Sequence, residues 1–264
     1  ATWRARRKHL QVESFLAVLA SSGAVRPGAR FVDFGSGSGN LTLPLAYLMP
    51  ECSFVAVDVK AVAVDLLRER AREAGLANVR AVCGSIEEFE AEFDVCLALH
   101  VCGSGTDMSM IKAIEQRASY FVSPCCIGKL QASAGLVDPH KDVESTGLRL
   151  VHPRSRWMRE LVGRDEFVSL AAAADYSGHT GVSGYDASTP QGRVPRFAKA
   201  ALEADRNASS REHEYSTRLM KLLHPEACVR NDLLIGYPQE HGFETKYITS
   251  AYEEWGESCI TKDL

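Results

Sequence analysis

The sequence lacks the features typical of membrane proteins, secreted proteins and proteins with a basic surface throughout. No apolar run approaches the roughly 20 residues of a transmembrane helix. The N-terminus has no apolar stretch of the kind found in a secretion signal. The formal net charge of the 264-residue chain is −4, so we expect any basic patch for nucleic acid to be local. We predict a globular protein without membrane association.

The sequence also lacks a disulfide framework. Its eight cysteines are scattered over predicted strands and turns, and Cys125 and Cys126 are adjacent. This usage indicates a reducing compartment and predicts a cytoplasmic location. The first residue is Ala1 rather than Met, so we allow for further domains in a longer chain.

The most informative stretch is 31–40, which reads FVDFGSGSGN and precedes a hydrophobic helical pattern. An apolar strand pattern thus breaks into a glycine turn and continues as a helix. Glycine permits positive φ and close approach of a ligand, and the N–H groups that begin the helix face the turn. The order predicts a ligand site at the carboxyl end of the first strand. Its residues are Asp33, Gly35, Ser36, Gly37 and Gly39.

A second predicted strand, 53–57, ends in Asp58, 19 residues after Gly39. An acid there can accept hydrogen bonds from both ribose hydroxyls of a nucleoside. The spacing is G-x-G-x-G, not the G-x-G-x-x-G of dinucleotide sites. Asp33 would repel a pyrophosphate but suits a ligand with an ammonium group and no phosphate. These residues favour S-adenosylmethionine and argue against an NAD-dependent oxidoreductase.

The combined pattern, D-x-G-x-G-x-G followed by an acid closing the second strand, resembles the class I methyltransferase family. The resemblance implies a Rossmann-like α/β fold, with a mostly parallel seven-stranded sheet and helices on both faces. It also implies S-adenosylmethionine as the cofactor. Many members place an acid after the third strand to bind the adenine amine. Here that loop reads Gly84-Ser85-Ile86, so Ser85 or a backbone group is expected to serve.

Strand and helix patterns alternate five times up to residue 126, as expected for a parallel sheet covered on both faces. We interpret the chain as one domain with an insertion after the fifth strand that serves as a lid or a substrate platform. A helical stretch is predicted over 196–223, broken near Asn207. Strands are predicted at 232–236 and, antiparallel, at 245–250. The predicted parts are an N-terminal helix (1–22), a cofactor-binding core (29–126), the insertion (127–195) and the C-terminal helix with the last strands (196–264).

Further motifs narrow the resemblance. Residues 98–103 (ALHVCG) with Thr106-Asp107 resemble a group that includes acceptor-stem tRNA 2′-O-methyltransferases. Residues 123–129 (SPCCIGK), 152–155 (HPRS) and 230–234 (RNDLL) resemble the methyltransferase-like half of glutathione S-transferase C-terminal domain-containing proteins. This resemblance implies cofactor binding but no particular substrate. It also implies that Gln11 and Lys8 reach the methionine end of the cofactor.

Class I methyltransferases place the acceptor beside the ends of strands four and five, here at His100 and at Cys125 and Cys126. His100 can act as a general base that accepts a proton from a hydroxyl or amine, or it can simply cap the strand. Cys125 can be a nucleophile on a pyrimidine ring, although the acid-Ala-Pro-Cys motif of such enzymes is missing. The same residues with Cys102 can bind zinc, or the cysteines can fill the core. We predict no metal.

The partner predicted from the resemblance is RNA, with tRNA as one candidate. A phosphate-binding rim is expected from Lys129, Arg154, Arg156 and Arg159, because phosphate neutralisation dominates such binding. We therefore predict methyl transfer to an oxygen or nitrogen atom of RNA. Two alternatives remain open: a catalytically inactive cofactor-binding module that regulates or scaffolds, and a methyltransferase for a protein or small molecule.

Overall fold

The computed structural model describes residues 2–124, 127, 130, 150–175, 190–224 and 231–241. Seven strands form one sheet in the order β3-β2-β1-β4-β5-β7-β6. β1 to β5 run parallel to one another, and β7 runs antiparallel to both β5 and β6. The strands are β1 (Arg30–Phe34), β2 (Ser53–Asp58), β3 (Val79–Cys83), β4 (Val95–Leu99), β5 (Ser119–Ser123), β6 (Tyr215–Lys221) and β7 (Asp232–Pro238).

Helices cover both faces of this sheet. They are α1 (Trp3–Ser22), α2 (Thr42–Leu48), α3 (Ala61–Glu73), α4 (Ser104–Glu115), α5 (Arg156–Leu161), α6 (Arg164–Asp175) and α7 (Pro190–Arg211), and a 3₁₀ turn follows at Gln239–His241. No helix among these described residues is both long and apolar enough to cross a bilayer. The predicted class I architecture is confirmed by this order of strands and helices.

Two cores explain why the central strands are largely apolar. On one face Phe15 and Leu19 of α1 pack with Phe31 and Phe54, whose rings stack 4.8 Å apart. On the other face Met110 of α4 joins a second cluster of buried strand residues. All residues of β5 and β7 are buried, as expected for strands covered on both sides.

The described part of the predicted insertion has a small core of its own. Phe167 and Ala171 of α6 pack with Leu202 of α7, and Ile127 and Leu130 complete the cluster. Helix α7 begins at residue 190, six residues before the boundary predicted at 196. The segment is therefore joined to the C-terminal helix by apolar packing.

The helix predicted over 196–223 is wrong in its second half. α7 continues past Asn207 without a break and ends at Arg211. The chain then turns at Glu214, which has a φ of 62°, and enters β6. β6 pairs with β7 in register from Tyr215↔Pro238 to Lys221↔Asp232, so pairing with a buried strand overrides the local helical pattern. The strand predicted at 245–250 lies outside the described residues.

A close contact between β5 and β7 gives a test of this topology. Gly236 lies opposite Tyr120, and a Cβ added at Gly236 would lie 2.2 Å from Cζ of the tyrosine ring. Tyr120 cannot easily move, because it is buried and its hydroxyl donates to Ser210 Oγ at 2.9 Å. We expect Gly236→Ala to lower the free energy of unfolding by about 1–3 kcal/mol or more, measured by urea denaturation.

Gly84→Ala is the matched control for this substitution. A Cβ at Gly84 meets no atom within 4 Å, so its effect is expected to stay within about 0.5 kcal/mol. Equal effects of the two alanines would contradict the packing of Tyr120 over β7.

Candidate functional site at the carboxyl edge of the sheet

The ends of β1 and β2 bring Asp58 and the glycine turn together. These strands are paired in parallel with Phe34 opposite Val57, and Ser36 N donates to Val57 O at 3.1 Å. Gly37 N donates to Asp58 Oδ2 at 2.9 Å, and Lys60 N donates to Asp58 Oδ1 at 2.9 Å. The carboxylate is thereby fixed at the edge of the turn, and each oxygen retains a second lone pair for a ligand.

The turn itself needs its glycines. Gly35, Gly37 and Gly39 all have positive φ, at 67°, 54° and 79°, a region that glycine adopts without strain. A Cβ at Gly35 would lie 2.6 Å from Val101 Cγ2, so the loop after β4 packs directly on the turn. A Cβ at Gly37 meets nothing within 4 Å. The backbone beside Asp58 is therefore open to an approaching ligand.

Asp33 lies beneath the turn and is only 2 % exposed. Its Oδ2 accepts a hydrogen bond of 2.5 Å from Thr42 Oγ1 in the first turn of α2. Burial raises the pKa of Asp33 to about 7, against the opposing effect of the Thr42 hydrogen bonds. An acid in this state gains from a nearby cation, because a positive charge favours the carboxylate form.

The two serines predicted to bind cofactor have different environments. Ser36 is buried, and its Oγ makes no hydrogen bond with any described residue. Ser85, after β3, donates from Oγ to Glu88 Oε2 at 3.1 Å and accepts from Glu88 N at 3.3 Å. A carboxylate, that of Glu88, therefore lies beside the serine predicted to bind the adenine amine.

His100 follows β4 and has a φ of 64°, a strained value for a residue with a side chain. Its backbone N donates to Ser123 O at 3.0 Å. Its ring Nε2 lies 2.9 Å from Nε2 of the buried Gln11 on α1. Burial lowers the pKa of His100, and the charge of Arg7 lowers it further, so the imidazole is neutral near pH 7.

Of the cysteines predicted at the acceptor site, the structure describes Cys102 alone. Cys125 and Cys126 lie outside the described residues. Cys102 is half-buried, and its Sγ lies 3.6 Å from His100 O. In the described ranges no group of three or more His, Cys, Asp or Glu residues could hold a metal ion. The roles of the two adjacent cysteines remain predictions.

The predicted phosphate-binding rim is wrong for Arg154. Its side chain is buried, with Nε 3.7 Å from Asp107 Oδ1, and its backbone N donates to Asp205 Oδ2 at 2.7 Å. Burial lowers the pKa of this guanidinium against the attraction of both carboxylates. Arg156 and Arg159 are exposed, and Lys129 lies outside the described residues. Arg154 is structural because two buried acids require a cation.

Asp107 on α4 is the centre of that buried cluster. Arg206 of α7 donates to both of its oxygens, from Nε at 2.9 Å and from Nη2 at 2.8 Å, and His152 Nε2 lies 3.3 Å away. Burial alone would raise the pKa of Asp107, but Arg206 and His152 hold it well below its usual range. Arg206 Nη2 also donates to Gly103 O at 3.3 Å, which ties the loop after His100 to α7.

Sequence reasoning missed several residues that shape the site. Arg70 of α3 donates from Nη1 to Ser38 O at 2.5 Å and so supports the glycine turn. Glu88 reaches Ser85, and Val101 fills the space over Gly35. The sequence carried a signal for one of them, since Glu88 stands only three residues after Ser85. The contacts of Arg70 and Val101 depend on distant segments and leave no local pattern.

Comparison with known proteins agrees with this geometry. Residues 7–133 match a family model described as a methyltransferase domain. The methyltransferase domain of bacterial CtHen1-C has a similar structure, with a TM-score of 0.50 and 14% identity over 89% of this chain and 98% of that one. The class I methyltransferase fold predicted from the sequence is confirmed.

Two relatives are similar to this chain in sequence. The glutathione S-transferase C-terminal domain-containing protein of Mus musculus is 28% identical over 240 residues, 90% of this chain and 34% of that protein. Ribosomal RNA small subunit methyltransferase G of Psychromonas ingrahamii is 42% identical over 73 residues, 27% of this chain and 35% of that protein. The chain thus spans about a third of the length of the first relative, and the second matches it over a short stretch alone.

The buried Asp33 gives a test by pH. The pKa of Asp33 is about 7 in the folded protein and has its ordinary value of 3.8 in the unfolded chain. As the pH rises, the Asp33 carboxyl therefore ionises in the unfolded chain at a lower pH than in the folded protein. Asp33 therefore makes the protein progressively less stable between pH 4 and pH 7. Relative to the wild type, Asp33→Asn should gain stability over that window, by about 4 kcal/mol at most.

Urea denaturation of both proteins at pH 5, 6, 7 and 8 measures this difference. Asp65→Asn, at an exposed carboxylate of α3, is the control. A constant difference between Asp33→Asn and the wild type across pH would show that Asp33 does not carry the raised pKa.

Proposed function

We propose that this chain, which carries a class I methyltransferase domain, binds S-adenosylmethionine and transfers its methyl group to an oxygen or nitrogen atom of RNA. The observation that carries the proposal is the hydrogen bond of 2.9 Å between Gly37 N and Asp58 Oδ2. It fixes a ribose-binding acid against an open glycine backbone at the carboxyl edge of a parallel sheet. A dinucleotide would bring its pyrophosphate towards Asp33, whereas S-adenosylmethionine carries no phosphate.

The residues present fit the parts of this cofactor. Asp58 accepts hydrogen bonds from the ribose hydroxyls, and the adjacent Val59 offers apolar surface for the adenine because its side chain is 66% exposed. The buried Ser36 hydroxyl is available to the methionine part. Glu88 supports binding of the adenine amine through its place beside Ser85. Asp33 supplies negative charge below the turn, which favours the cationic ammonium and sulfonium groups.

The chemistry needs few protein groups. S-adenosylmethionine supplies an electrophilic methyl group on a sulfonium that leaves as a neutral thioether. The protein holds the acceptor so that its lone pair lies in line with the methyl–sulfur bond. His100, neutral because its pKa is lowered, accepts the proton that the attacking hydroxyl or amine releases. With the cofactor bound, the new bond would join the methyl carbon to the acceptor atom, and the electrons of the broken carbon–sulfur bond would remain on sulfur.

RNA as the acceptor has separate support. The relative from Psychromonas ingrahamii is by name a methyltransferase of ribosomal RNA, although it matches only part of this chain. Four basic residues stand within the first eight positions, on the helix whose Gln11 touches His100. We infer that the acceptor reaches the ends of β4 and β5, with Cys125 and Cys126 lining its pocket. A cytoplasmic location fits the cysteine usage.

A second candidate is a cofactor-binding module without turnover. The contact between Gln11 Nε2 and His100 Nε2 favours it, because an imidazole lone pair that accepts from Gln11 is not available to a substrate proton. Under this hypothesis the site binds S-adenosylmethionine and the bound state regulates or scaffolds a longer protein. Both candidates bind the cofactor, but only the methyltransferase turns it over. Measuring cofactor binding and methyl transfer on the same protein therefore distinguishes them.

Calorimetric titration tests the cofactor. We expect micromolar binding of S-adenosylmethionine and S-adenosylhomocysteine and no binding of NAD. Asp58→Ala removes the ribose acceptor and should weaken both sulfur nucleosides by about 100-fold, since hydrogen bonds to a charged group contribute about 1.5–3 kcal/mol each. Asp65→Ala, which removes an exposed acid from α3, should leave binding unchanged. Equal affinity of the wild type for NAD would contradict the proposal.

Turnover tests His100. With RNA and labelled S-adenosylmethionine, His100→Ala should lower kcat by about 100-fold or more while S-adenosylhomocysteine still binds. Because the pKa of His100 is lowered from its ordinary value of 6.5, wild-type kcat should fall on acidification with a midpoint below pH 6.5. Full turnover by His100→Ala would show that His100 is not the general base. Cofactor binding by the wild type without any methyl transfer would support the cofactor-binding module.

A further inference from the structure

The first two turns of α1 extend beyond the core. The first buried residue of this helix is Gln11, and further buried residues follow from Ser14 onward. None of the side chains described from Thr2 to Leu10 is buried. Residues 3–10, called here the α1 overhang, span about 12 Å at 1.5 Å per residue, and their described side chains are exposed or half-buried. Packing against the sheet does not require these two turns, so their sequence is free to serve another purpose.

The overhang concentrates positive charge in a chain that is acidic as a whole. Residues 1–12 contain Arg4, Arg6, Arg7 and Lys8 and no acid, whereas the whole chain has 34 acidic and 30 basic residues. Arg6 and Arg7 are exposed. Among the described residues, no acidic side chain forms an ion pair with Arg6 or Lys8. Such a local excess of cations is complementary to phosphate groups.

The overhang lies at the acceptor end of the site. Gln11, the residue that directly follows the overhang, contacts His100 at 2.9 Å. Arg7 stands one helical turn before Gln11 and so lies on the same side of the helix. The charge of Arg7 also contributes to the lowered pKa of His100. These positions place cations beside the strand end where methyl transfer is proposed.

A groove of about 550 Å³ continues from this surface. Lys8, His9 and Val12 of α1 form one wall, and Asn40, Pro44 and Arg70 form the other. The volume lies within the range of small-ligand sites, about 300–1,000 Å³, and suits one nucleotide. Its walls combine apolar surface for a base with two cations for a phosphate, Lys8 and Arg70, and one acid, Glu13, also lines the groove.

Trp3 adds an exposed aromatic ring to the same two turns. Its side chain is 56% exposed, and it precedes Arg7 by one turn. Exposed aromatic rings next to cations are typical of surfaces that bind single-stranded nucleic acid, because bases stack on the ring while phosphates contact the cations.

We propose that the α1 overhang is the RNA-binding surface of this domain and guides a single-stranded segment next to the methylated nucleotide towards His100. This inference rests on the proposed function, since it names the surface by which the same site takes its acceptor. It replaces the rim predicted around Arg154, whose side chain is buried with its Nε near Asp107.

Fluorescence anisotropy with a labelled 12-nucleotide single-stranded RNA, measured on the full chain with S-adenosylhomocysteine, tests the overhang. Arg6→Gln/Arg7→Gln removes two exposed cations and keeps good helix formers. We expect about tenfold weaker binding or more, with a salt slope reduced by about 1.4, since each phosphate contact contributes about 0.7 on a single strand. Arg72→Gln/Arg80→Gln, at exposed arginines of α3 and β3, is the matched control and should bind like the wild type.

Calorimetry on the same proteins separates this inference from the proposed function. S-adenosylhomocysteine should bind the wild type and both double variants within a factor of two. Failure of the wild type to bind it would overturn the proposed function. Cofactor binding with no RNA binding by the wild type would overturn both the overhang and RNA as the acceptor. Cofactor binding with equal RNA loss in both double variants would overturn the overhang alone. Equal affinity for a polyglutamate peptide of matched charge would also overturn it, in favour of an acidic protein partner.

Trp3→Ala tests stacking without changing charge. We expect RNA binding about tenfold weaker with an unchanged salt slope, because a base loses its aromatic partner while the phosphate contacts stay. Trp3→Phe should recover most of the affinity. Identical RNA affinity of the alanine variant and the wild type would show that Trp3 takes no part in RNA binding.

Discussion

The ion pair between Asp107 and Arg206 is the interaction on which the position of helix α7 against the sheet depends. Asp107 lies in the first turn of α4 and is 1 % exposed, so its charge has no water to stabilise it. A buried carboxylate in this position is tolerated only if a cation and hydrogen bonds compensate it. Arg206 of α7 and His152 supply them. The sheet, the segment around residue 152 and the long C-terminal helix must therefore meet.

This constraint reaches the candidate site through the loop after β4. Arg206 holds Gly103 O from one side, and Val101 packs on Gly35 and Gly105 from the other. His100 lies at the start of this loop with a strained backbone, and such strain persists only where the surroundings determine the conformation. The orientation of the proposed base is thus set by α1, by the glycine turn and by α7 together. Residues far from the chemistry fix the site.

The sequence predicted well what depends on local pattern. The glycine turn, Asp58 and the five parallel strands each follow from apolar runs and turn residues close in the chain. Two predictions failed because the deciding contacts are distant. β6 is a half-exposed edge strand. Its mixed polar sequence is also typical of an exposed helix, and pairing with β7 decides in favour of the strand. Arg154 resembles an exposed loop arginine, and only the meeting of Asp107 and Asp205 buries it. Neither partner is near it in sequence.

Asp33 and His100 together explain why the site favours a cationic ligand. They stand at the ends of β1 and β4, which are neighbours in the sheet. Burial raises the pKa of the acid and lowers that of the histidine, so both charged forms are disfavoured in the free protein. A cationic ligand stabilises the carboxylate form of Asp33 and keeps His100 neutral, because it attracts one group and opposes protonation of the other. Binding of such a ligand near pH 7 therefore releases a proton from Asp33, and the resulting attraction offsets the free energy that its burial costs.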